Sequence, residues 1–194
     1  MLQQPAVLVT ITQWVYCIGS SFRQDHRQEN DSLELIATSE SDDGSGRDCG
    51  GCTACCQGWV ADEKMGLSPG NACRHLTAAG CGIYETRPEH PCRAFRCAWL
   101  RKEIGLDTSM RPDRAGVIVF GIDFEGTRVL RAIPTGEKIP EESLRKVCDA
   151  ARTANRPLIF SEFVIDNGSY VGQRKGLFAS PEFTRKVDIN KLNS

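Results

Sequence analysis

The residues with the clearest chemical potential open as Cys49-Gly-Gly-Cys52-Thr-Ala-Cys55-Cys56, and Cys73, Cys81, Cys92 and Cys97 follow. Eight of the ten cysteines therefore lie between positions 49 and 97. Such density has three chemical explanations: disulfides, zinc, or an iron–sulfur cluster. The spacing favours a metal. Thiols two residues apart on a turn aim at one centre, whereas disulfide partners need a Cα separation and Cβ directions that a short C-x-x-C loop seldom supplies.

Turn-forming residues surround each thiol. Gly51 precedes Cys52, Gly80 and Gly82 flank Cys81, Pro91 precedes Cys92, and irregular backbone of this kind leaves amide N–H groups free to bond thiolate or sulfide sulfur. The adjacent pair Cys55-Cys56 is a separate question, because neighbouring side chains on extended backbone point opposite ways. Either one is a ligand and the other a buried structural thiol, the preferred reading, or the two serve different centres. His75 and His90 each lie two residues from a cysteine, but with eight thiolates at hand they are read as supporting or exposed groups, and His26 as exposed. The metal set is therefore Cys49, Cys52, Cys55, Cys56, Cys73, Cys81, Cys92 and Cys97.

Zinc in two closed sites of four thiolates would use all eight. An iron–sulfur cluster fits the first motif better. C-x-x-C-x-x-C with a distant fourth cysteine is the ligand layout of ferredoxin-type 4Fe-4S clusters, and Gly50, Gly51, Thr53 and Ala54 leave room for an inorganic core. Both metals stay open.

The elements that must position these thiols are α+β in pattern. At 194 residues with a net charge of −1, the chain is large enough for a core and poorly suited to general nucleic-acid or membrane-surface binding. Three regions follow: a disordered or non-domain segment over 1–47, a cysteine-cluster module over 48–101, and a small α+β unit over 102–194 with a loose C-terminal tail. Ala6 to Phe22 is apolar, yet it lacks a preceding Lys or Arg and is interrupted by Thr10, Thr12 and Gln13, so it reads as a strand or as a segment without a fold of its own rather than a signal peptide or membrane span. From Arg23 to Asp48 eight acids face three bases in a Ser-rich stretch, a disordered composition. Beyond the cysteines, Gly116 to Phe124 and Thr127 to Ile133 predict a hairpin, Pro140 to Arg152 a helix burying Leu144, Val147, Cys148 and Ala151, and Pro157 to Ile165 with Ser169 to Val171 a second hairpin around Asn167-Gly168.

With those residues placed, Cys49 to Cys56, then Cys73, then Gly80 to Pro88, then Cys92 to Cys97 resemble the CxxCxxCC, or YkgJ-like, family, described as a zinc- or iron-chelating domain. The likeness covers about residues 48–101 and extends more weakly to 110–172. The family includes the cysteine-rich region of flagellin lysine N-methylases, and the resemblance implies an iron–sulfur cluster there. Two function classes follow: a metal-binding protein whose centre is structural or electron-carrying, and an enzyme, either a redox protein or a cluster-bearing relative of the protein methylases. The first is favoured, since no Gly-rich cofactor fingerprint is present and three histidines offer no Ser/His/Asp set. A zinc ribbon binding nucleic acid through Arg87, Arg93, Arg96 and Arg101 is a weaker reading than one in which these arginines screen cluster charge and cover Tyr84, Phe95 and Trp99. The expected partner is a protein docking near Tyr84 to Arg101, and the expected compartment is the reducing cytoplasm, with no membrane attachment.

Overall fold

The computed structural model describes residues 46–62 and 65–187, together with the backbone of two strands at 8–11 and 14–18. The chain is α+β. Its centre is a six-stranded sheet: β1 (Leu8–Ile11), β2 (Trp14–Ile18), β5 (Val117–Phe124), β6 (Thr127–Pro134), β7 (Leu158–Asp166) and β8 (Ser169–Ala179), in the spatial order β1-β2-β8-β7-β6-β5. Strands β3 (Leu76–Thr77) and β4 (Gly80–Cys81) form a small hairpin of their own in the cysteine region.

Both predicted hairpins are present. β5 pairs antiparallel with β6 around Glu125-Gly126, and β7 with β8 around Asn167-Gly168, where Glu125 and Asn167 both take positive φ. Helix α2 (Glu141–Thr153) joins the hairpins and makes β6 and β7 parallel neighbours. Two details differ from expectation. Strand β8 continues past Val171 to Ala179, and Pro181–Lys186 forms a short helix, α3, while the loose tail expected at the C-terminus falls, beyond residue 187, outside the described residues; α1 is the turn Pro112–Ala115. The longer β8 is sustained by its place between β7 and β2, which supplies partners along residues 172–179 despite Gly172, Arg174, Lys175 and Gly176. The apolar segment around residues 8–18 contributes β1 and β2 to that edge. The disorder expected for the acidic stretch falls, up to residue 45, outside the described residues, as do His26 and the side chain of Cys17.

The registers define two faces. One carries Val119, Ala132 and Phe160, with Leu130, Leu158 and Phe178 beside them; here α2 lays Val147 and Ala151, and the Arg152 guanidinium sits 5.5 Å from the Phe178 ring centre. Gly176 lies opposite Phe160, and a Cβ there would stand 2.1 Å from the Phe160 ring, so glycine makes space for the aromatic. The other face carries Phe120, Arg131, Ile159, Ser161 and Phe163. The cysteine region packs on it: the Trp59 ring stacks on Phe163 at 5.8 Å, Tyr170 meets Phe163 edge-on at 5.4 Å, and Phe95 meets Phe120 edge-on at 5.3 Å. On this same face Arg131 is buried, and its Nη2 donates to Ser161 Oγ at 2.8 Å and Gln173 Oε1 at 2.9 Å, tying β6, β7 and β8 together. A buried cation must have such acceptors to offset its desolvation. Among the described residues no helix is long and apolar enough to cross a membrane.

Candidate metal centre

The cysteine module is built from turns pinned by main-chain bonds. The Cys52 N–H donates to the Cys49 carbonyl at 2.7 Å, closing the first C-x-x-C turn, and Gly50 takes φ +44° within it. A 3-10 turn, Cys55–Gln57, follows and ends at Gly58, whose φ is +89°. Three residues per turn set the Cys55 and Cys56 side chains about 120° apart, a divergence that extended backbone was not needed to produce. A Cβ on Gly58 would stand 2.3 Å from the Asn71 carbonyl oxygen and 2.4 Å from that of Ser68, so the loop bearing Ser68 and Asn71 lies directly over this glycine. That loop is held by reciprocal bonds between Asp62 and Leu67 at 3.0 and 2.8 Å.

The second half is tethered to the first. Cys73 donates its N–H to the Cys56 carbonyl at 2.7 Å, the Leu76 N–H donates to the Cys73 carbonyl at 2.9 Å, and Leu76 faces Cys81 across the β3–β4 hairpin. Cys92 lies in a helical turn over 89–93, closed as the Phe95 N–H donates to the Pro91 carbonyl at 2.8 Å. The module then joins the sheet edge, where the Ala98 N–H donates to the Val119 carbonyl at 2.6 Å and leaves Cys97 inside the main core.

All nine described cysteines are free of disulfide bonds. Among the described residues no three Cys, His, Asp or Glu side chains converge closely enough to enclose an ion as they stand. At longer range the thiols have distinct neighbours. Cys97 belongs to the core, and Cys49, Cys52 and Cys55 pack against that core, whereas Cys56, Cys73, Cys81 and Cys92 are part-buried and outside it. Burial raises the Cys55 thiol well above its ordinary range, with Cys97, Cys49 and Cys52 the next contributors. Burial likewise lifts Cys56 to about 11, with Cys81, Cys73 and Cys92 adding to it, and lifts Cys97 to about 11. The Cys49 thiol is raised by burial, opposed most by the Arg87 cation and also by Arg96. Burial also raises Cys92, helped by Cys73 and Cys81 and opposed by Arg87.

No protein family, curated protein or solved structure matches this chain. The donor set is therefore judged on its own chemistry. Thiolates are ligands for thiophilic metals, but of the eight only Cys49, Cys52, Cys55 and Cys97 lie in or against the apolar core, and bringing any set to ligand distance would require the turns to close.

The remaining candidate groups fall into place around the thiols. His75 is part-buried, with Arg74 Nε donating to its Nε2 at 3.2 Å, and His90 is exposed. Arg87 stacks on Tyr84 at 3.8 Å, and Arg93 donates to the Glu85 carbonyl at 3.1 Å. Trp99 is covered by Arg47, 4.9 Å from its ring centre, which also donates to the Trp99 and Leu106 carbonyls at 2.7 and 3.0 Å. Sequence reasoning assigned that cover to the downstream arginines and gave Arg47 no role, since it sits at the end of an acidic stretch. The Arg131–Ser161–Gln173 network was also missed, although an arginine between Leu130 and Ala132 in an apolar strand was a signal for a buried cation. Cys148 lies on α2, buried in the core, with its thiol pushed up by burial to about 12.

Proposed function

We propose that this chain is a thiolate metal-binding protein whose centre, zinc or an iron–sulfur cluster, is structural or electron-carrying. The observation that carries the reading is that all eight thiols of residues 49–97 are unpaired, with Cys97 in the core and Cys49, Cys52 and Cys55 packed against it. Seven part-buried thiols and the buried Cys97 sit in a module built largely from turns, and metal–thiolate bonds are an interaction able to fix it. The order of the cysteine motifs also supports kinship with the CxxCxxCC family.

The module's chemistry favours a reducing compartment, where thiols remain unpaired, and the cytoplasm is the compartment we assign. Tyr84, 37 % exposed beneath Arg87, marks the side on which a protein partner would meet the module.

Thiol protection tests the function. In native protein isolated anaerobically, the eight cysteines of 49–97 should resist alkylation until a strong chelator is added, while Cys148 resists until the sheet unfolds. Immediate alkylation of all eight in metal-replete protein, unchanged by chelator, would overturn the proposal.

A further inference from the structure

We infer that Arg128 and Arg156 form an oxyanion site at the edge of the sheet, which takes the phosphate group of free phosphate or of a small phosphate ester. No cysteine takes part in it, so it stands or falls independently of the metal-binding function proposed above.

The site starts from a missing side chain. Gly121 lies on the edge strand β5, on the face that carries Val119 and Leu130 and is covered by α2. A Cβ there would stand 3.1 Å from Arg128 Nε, 3.2 Å from Arg128 Nη2 and 3.1 Å from Arg156 Nη2. Two guanidinium groups therefore converge on one point above the strand. Gly121 does not take a positive φ, so what this glycine supplies is space rather than an unusual backbone conformation. The two arginines arrive from different elements. Arg128 comes from the start of β6, on the same face as Leu130, the partner of Gly121, and Arg156 comes from the loop between α2 and β7.

Like charges brought this close repel, and only one of the two is offset. Arg156 Nη1 donates to the Glu103 carboxylate, while its Nη2 reaches the Val129 carbonyl only at 3.4 Å and its Nε is buried with no hydrogen-bond partner. Arg128 is exposed and has no ion pair or hydrogen bond among the described residues. The carboxylate opposite it in the register, Asp123, instead accepts the Gly126 N–H at 2.9 Å and caps the β5–β6 turn. The pair thus keeps N–H donors for one more oxyanion. A tetrahedral phosphate fits best, because its several oxygens can be shared between two guanidinium forks, whereas one fork already fills a carboxylate.

The test is a titration of the nitrogen-labelled full chain, followed by NMR at constant ionic strength, first with inorganic phosphate and then with glycerol phosphate. The Gly121 amide and the Arg128 Nε–H signals should shift and saturate. Tighter saturation by one ligand than by the other tells which source the site prefers. Arg128→Ala, which removes an exposed side chain without a partner, should weaken binding about tenfold or more. Gly121→Ala should weaken it several-fold, since its methyl group displaces both guanidiniums from the strand. Arg114→Ala, at an exposed position on α1, should bind like wild type. The inference is overturned if neither ligand saturates the Gly121 signal, or if Arg128→Ala binds as tightly as wild type. Equal weakening by Arg114→Ala would also overturn it, as general attraction to basic surface. Should Gly121→Ala fold poorly, the comparison of Arg128→Ala with Arg114→Ala decides.

Discussion

At the scale of single residues, glycines and thiols do different work in the module. Gly58 terminates the turn bearing Cys55 and Cys56 and lets the Ser68 and Asn71 carbonyls approach where any side chain would collide. Gly58→Ala should therefore cost on the order of 1–3 kcal/mol and weaken metal retention, read as a lower chelator concentration for metal loss. Cys148→Ala should cost about 1 kcal/mol and leave metal content unchanged, because its thiol is a core group on α2 and no other thiol is among the groups that act on it. Thermal unfolding with metal analysis checks both. Cys148 was legible in the sequence from its place on the helix's apolar stripe. The surroundings of Cys55 and Cys56 were not, because spacing shows that two adjacent thiols diverge without showing that Cys55 is the one packed against the core.

At the scale of elements, the module is joined to the sheet by aromatic contacts, by the burial of Ala54, Val60 and residues 97–100 in the shared core, and by the Ala98–Val119 main-chain bond. Phe163 holds Trp59 on its face and Tyr170 at its edge, while Phe95 meets Phe120. Phe163→Ala should lower stability by about 3–5 kcal/mol and loosen the module even with metal bound, seen as faster amide exchange over 55–60. Unchanged exchange there would mean that the metal centre alone orders the module. The two hairpins and α2 were legible because alternation, Asn-Gly turn chemistry and a helical apolar stripe each persist over a long segment. The far half of β8 was not, since its glycines and charges depress strand propensity and its pairing with β2 depends on a segment far away in sequence. Helix α3 carried a readable start in Ser180-Pro181-Glu182, where the Ser180 hydroxyl accepts the Phe183 N–H at 3.3 Å.

At the scale of the whole molecule, stability comes from two sources. The sheet and α2 bury a continuous apolar core, including Ile118, Leu130, Val147, Leu158 and Phe178, and need no ligand to do so. Residues 46–101 contribute few large apolar side chains and depend on thiolate bonds for much of their order. Complete chelation under reducing conditions should therefore make this region protease-sensitive while 117–179 keeps its circular dichroism. Retained protease resistance of 46–101 after metal removal would show that packing, not metal, orders it. The most direct test of the central claim is metal and sulfide analysis, with an absorption spectrum, of the chain purified anaerobically. The account predicts stoichiometric zinc, or iron with inorganic sulfide and a brown chromophore, or both together. A folded, fully reduced protein that contains neither metal and takes up neither on reconstitution would contradict it.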